Sequence, residues 1–107
     1  MSTVDSVIDA RRQKRKAHLE RRTAEHPAIG RIIGTELRDL RRLVGLSQEE
    51  AAVLAGFDRT YPSMLERGAR YPTLPVFIRY VRVLKADPDK VLARIEKALK
   101  AGGFLRG

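Results

Sequence analysis

Residues 47–68, SQEEAAVLAGFDRTYPSMLERG, hold two helix starts and two helix stops in one short span. Ser47 followed by Glu50 is a capping box: the hydroxyl can accept from the Glu50 amide while the carboxylate accepts from the Ser47 amide. The helix it opens carries Ala51, Ala52 and Leu54 and stops at Gly56. Asp58 is the next N-cap candidate, and Gly68 the next stop, where a positive φ costs glycine nothing. Pro62 lies inside this second helix, and an interior proline removes an amide and clashes with the preceding turn at ~3 kcal/mol. Two placements accommodate it. With Asp58 as cap, Pro62 is the fourth helical residue and only the first intrahelical bond is lost. With Thr60 or Tyr61 as cap, Pro62 falls in its favoured first turn, and Arg59 and Thr60 pass into the connecting turn. The expectation adopted is the first.

Similar punctuation continues outward in both directions. Ile33, Leu37, Leu40 and Val44 keep helical spacing up to Gly45. Thr73 can cap a helix through Leu74, Phe77, Ile78, Val81 and Leu84. Asp87 before Pro88 is a start signal, since proline suits the first helical position, and Val91, Leu92, Ile95 and Leu99 follow before Gly102-Gly103. With no strand pattern, the expected fold is all-α: five short helices in residues 28–101, between an arm (1–27) and a short tail (102–107).

The arm differs in composition. Arg11, Arg12, Lys14, Arg15, Lys16, Arg21 and Arg22 crowd it, and the apolar stripe begun by Val4, Val7 and Ile8 continues onto Arg11 and Arg15. No core-facing side develops, so the arm is expected to be nascently helical and mobile, closed by Pro27, with His18 and His26 solvated.

The whole chain has 107 residues, one domain's worth, and 43% are apolar, enough for a packed interior. Lys and Arg number 22 against 13 Asp and Glu, a formal charge of +9 that points to an anionic partner, nucleic acid before membrane surface. There is no cysteine, so disulfides and thiolate metal sites are excluded. No run approaches signal-peptide or membrane-span length, and the expected location is the cytoplasm, with no membrane partner. No Gly-rich phosphate loop, Ser/His/Asp set or His-Glu metal spacing occurs, so neither an enzyme, nor a cofactor, nor a metal is expected.

Small residues at Ala52 and Gly56, with Leu65 beyond, let the two helices of the opening stretch cross steeply, as in a helix-turn-helix whose second helix enters the DNA major groove. From about Ile32 to Leu92 the chain resembles the lambda Cro/cI-like (XRE) family of bacterial and phage regulators, on "R…GLSQEEAA…G…S.LERG.R.P.L". Within it, "DRTY" and "LERG.R.PTL" are similar to the controller proteins of restriction–modification systems. Pro62 departs from the family, which places a branched apolar residue there.

The resemblance implies roles for particular residues. Arg59, Thr60, Ser63 and Met64 lie where the family faces the bases: Arg59 suits guanine O6 and N7, and Thr60 or Met64 a thymine methyl. Gln48, Tyr61, Arg67 and Arg70 suit phosphates, with Gln48 at a helix N-terminus and Arg70 able instead to enter the minor groove. Arg41 and Glu66 are expected to form a bracing ion pair. The implied partner is double-stranded DNA, read by a homodimer, with Leu99, Phe104 and Leu105 as interface candidates. The alternative is an antitoxin-like or adaptor protein whose basic arm holds a protein partner, with DNA binding secondary. Because Arg59, Thr60 and Ser63 keep the reading face polar, DNA is favoured.

Overall fold

The computed structural model describes residues 3–25 and 27–105, which form six helices: α1 (Thr3–Glu25), α2 (Pro27–Leu43), α3 (Gln48–Ala55), α4 (Tyr61–Glu66), α5 (Leu74–Val83) and α6 (Pro88–Ala101). The five expected helices are therefore present, behind an arm that is itself helical. Pro27 opens α2 rather than closing the arm, because its fixed φ suits a first helical position whose amide needs no partner. His26 lies outside the described residues, as do the side chains of Arg15, Lys16, His18, Arg21 and Arg22.

Local chemistry explains most helix ends. Ser47 and Glu50 close their capping box through two 3.0 Å bonds, and Gly56 ends α3 in the left-handed conformation at φ 69°. Thr73 caps α5 by accepting from the Val76 amide, and Asp87 precedes Pro88 at the head of α6.

Alpha2 crosses α4 and α6, α3 packs on α4 and α5, and α5 on α6. Together they enclose Leu37, Leu40, Ala51, Ala55, Leu65, Phe77, Tyr80, Val81, Leu84, Val91 and Ile95. Three alanines, Ala51, Ala52 and Ala55, form the buried face of α3, and such short side chains let it approach α4 and α5 closely. Leu54 sits one position off that face and is largely exposed, and Leu74, Ile78 and Leu92 also reach solvent. Membership of a helical stripe did not bury these four, because the neighbouring helices cover only part of each apolar arc. Among the described residues, no helix is long and apolar enough to cross a membrane.

Candidate nucleic-acid interface

Alpha3 and α4 are joined by residues 56–60, and the turn departs from the expected placement. Asp58 does not cap the second helix. Its carboxylate accepts from the Thr60 amide at 3.1 Å and from the Thr60 hydroxyl, closing a local turn just before α4 begins. Those two bonds, the hydroxyl foremost, hold the Asp58 carboxyl below its ordinary range. The N-cap is Thr60, and its carbonyl accepts the first helical bond, from the Met64 amide at 3.2 Å. Pro62 thus occupies the second helical position, where no intrahelical partner exists for an amide, so its missing donor costs nothing. Its ring is buried.

The shift moves Arg59 and Thr60 out of the helix. Arg59 stands in the turn with its side chain 81% exposed, 3.8 Å from the Glu49 carboxylate. Thr60 is exposed, its hydroxyl proton engaged by Asp58. Ser63 and Met64 are half-buried on α4. Of the expected phosphate contacts, Arg67 and Arg70 are exposed, and Arg67 folds back so that its Nε donates to the Ser63 carbonyl at 3.3 Å. Tyr61 is half-buried against the core, edge-on to Phe57 with ring centroids 4.9 Å apart. Gln48 is also half-buried, and its Nε2 lies 3.4 Å from Glu66 Oε1. The structure therefore gathers Arg59, Thr60, Arg67 and Arg70 as exposed groups around a short helix, and turns Gln48 and Tyr61 partly inward.

What holds that helix is buried. Arg41 and Glu66 form a two-pronged pair: Nε donates to Oε2 and Nη2 to Oε1, both at 2.8 Å. Arg41 Nη1 also donates to the Leu46 carbonyl at 2.8 Å, tying the end of α2 to the loop before α3. Both side chains are nearly sealed from water. A parallel guanidinium–carboxylate fork in that setting fixes orientation as well as charge, and the Glu66 bond raises the Arg41 pKa. Tyr80 is buried close enough to feel the pair. Its pKa is pushed up to about 12 by burial and by the Glu66 charge, and its hydroxyl has no hydrogen-bond partner among the described residues.

The brace has a second part that sequence reasoning missed. A Cβ built on Gly30 would lie 2.7 Å from the Gly68 carbonyl, and one on Gly34 would collide with the Leu65 and Glu66 carbonyls. Alpha2 thus lies backbone against backbone on the end of α4. The signal was present: two glycines four apart in a helix each cost about 1 kcal/mol relative to alanine, an expense that asks for a packing reason.

Residues 32–94 match a family described as a helix-turn-helix domain. The control protein C.SmaI of Serratia marcescens is 35% identical over 66 residues, covering 62% of this chain and 79% of that protein. An uncharacterized HTH-type transcriptional regulator of Sinorhizobium fredii is 46% identical over 44 residues, 41% of this chain, and the match spans 57% of that relative's length. Among solved structures, the restriction-modification controller protein C.AhdI of Aeromonas hydrophila superposes with a TM-score of 0.58 at 38% identity, covering 62% of this chain and 96% of that one.

Proposed function

We propose that this chain, which belongs to the helix-turn-helix domain family, regulates transcription by binding DNA sequence-specifically through α4 and the turn before it. The carrying observation is the contrast between a rigidly seated α4 and the exposed donors around it. Arg59 carries the base readout. Its contact with Glu49 is a 3.8 Å pair between two exposed side chains, worth ~0–1 kcal/mol, whereas two bonds to a guanine edge discriminate by ~1–3 kcal/mol. Releasing Glu49 therefore costs Arg59 little. Thr60, locked by Asp58, presents its methyl group to a thymine, and Ser63 and Met64 complete the reading edge. Arg67 and Arg70 take flanking phosphates, with Tyr61 and the Gln48 end of α3 as further backbone contacts.

The proposal extends to a homodimer reading paired half-sites. Leu74 and Leu92, 65% and 50% exposed, rim a groove with Ile33, Tyr71, Pro72 and Phe77, an apolar surface of the kind a second copy covers. Leu105 is exposed, while Leu99 and Phe104 are half-buried.

Selection of bound duplexes from a random pool tests the function directly. A recovered consensus is expected, and Arg59→Ala should weaken binding to it by ~1–3 kcal/mol while relaxing one base pair per half-site. Equal losses on consensus and random duplexes would make Arg59 a phosphate contact. Recovery of no consensus would remove the function.

A further inference from the structure

The arm is a continuous helix, and that turns a run of charges into a patterned surface. Along α1, helical register brings positions 11, 14, 15, 18, 21 and 22 to one face, spaced by three, four, seven, ten and eleven. In this chain they are Arg11, Lys14, Arg15, His18, Arg21 and Arg22. Asp5, Asp9 and Glu20 fall on the opposite face, with Arg12 and Lys16 beside them, and position 25, a glutamate, ends the stripe on its own face. Arg11 and Lys14, where side chains are described, are exposed.

The root of the arm is fixed in space even so. Pro27, the first residue of α2, lines a cleft with Gly68, Ala69, Arg70 and Tyr71, the loop that follows α4. The close approach of Gly30 to Gly68 holds that end of α2 against the same loop. The arm therefore springs from beside Arg70, at the edge of the proposed DNA-reading surface.

We propose that α1 is a second DNA-binding element, which lays its basic stripe along the phosphate backbone flanking the bases that α4 reads. This rests on the function proposed above. The dimensions agree: positions 11 to 22 span about 17 Å of helix, and a DNA strand carries one phosphate per about 3.4 Å of duplex axis while winding around it, so the five cationic residues can reach a few neighbouring phosphates. The stripe contributes affinity and not sequence preference, because a phosphate is the same at every base pair.

The test uses the full chain. In one variant the stripe is neutralised with a good helix former (R11Q, K14Q, R15Q, R21Q and R22Q together), and in a second the flanking pair is changed (R12Q and K16Q). Each is titrated against the selected duplex and a scrambled one across a range of salt. The stripe variant should bind both duplexes about tenfold or more weakly at low salt. Its plot of log affinity against log salt should flatten by ~0.9 for each phosphate the arm no longer neutralises, while the consensus stays preferred. The flanking variant should be weakened less per charge removed. An unchanged slope in the stripe variant, with the consensus still preferred, would overturn the arm's role and leave the DNA-reading function standing. A wild-type chain with no duplex preference would remove the function itself. If instead the stripe were needed for binding vesicles of phosphatidylserine and phosphatidylcholine, or an acidic protein, while duplex affinity did not change, the inference would also be overturned.

Discussion

Alpha3 and α4 are neighbours in the chain and partners in one motif, yet they differ in what holds them. Alpha3 carries its own ends: a reciprocal capping box at Ser47 and Glu50, and a left-handed glycine at Gly56. Alpha4 has six residues and no side-chain cap bond at Thr60, and the left-handed glycine that ends it, Gly68 at φ 75°, comes one residue past the Arg67 C-cap. Six residues are too few for a helix to persist alone, since nucleation costs more than so few bonds return. Its stability comes from outside, through Glu66 on Arg41, Leu65 in the core, Pro62 in a buried site, and its last carbonyls against Gly34. The helix proposed to read DNA is thus the one that tertiary contacts define. That suits it to the task, because a reader placed by buried contacts keeps its exposed side chains free for bases.

The largest expected effect breaks the outside support. Glu66→Ala leaves the buried Arg41 guanidinium with only the Leu46 carbonyl, and unfolding in denaturant should show a loss of ~3–5 kcal/mol. A double-mutant cycle with Arg41→Ala should show strong coupling, and additive effects would make the pair two separate surface charges. Next comes Gly34→Ala, where a methyl group meets two backbone carbonyls that cannot yield without moving α4. Stability should fall by about 2–3 kcal/mol, and DNA affinity with it; a neutral result would mean that the two helices sit farther apart than described.

Pro62→Ala tests the placement of α4 itself. Here proline pre-sets the first turn and fills a buried site, so the change should cost ~1–2 kcal/mol. With Asp58 as the cap, the same change would restore a helical bond and stabilise the protein instead. The smallest effect belongs to α3. Ser47→Ala should cost about 1 kcal/mol and leave base preference intact, because it weakens one end of a helix that has other supports. A larger effect on DNA binding than on stability would show that the α3 N-terminus contacts phosphate directly.

The two helices also differ in how far they can be read from residues alone. Capping box, Gly56 stop, Thr73 cap and Asp87-Pro88 start all appear where the sequence puts them, because a cap involves atoms only two or three residues apart. The start of α4 is misplaced by the same local reading. Asp58 has the chemistry of a cap, but it spends that chemistry on Thr60, and α4 starts where Pro62 is both buried and in the first turn. Leu54, Leu74 and Leu92 look like core residues by type and spacing, and only the limited reach of neighbouring helices leaves them in solvent.

By itself, the sequence determined an all-α chain of five helices behind a basic arm, the positions of most helix ends, and the pairing of Arg41 with Glu66. These follow from local hydrogen bonding, apolar period and a family pattern. Tertiary structure alone decided that α4 begins at Tyr61, that Arg59 stands in a turn, that Gln48 and Tyr61 lean inward, and that Gly30 and Gly34 seat α2 on the end of α4. Each of these outcomes depends on which distant backbone lies within a few ångströms, and no local propensity carries that distance.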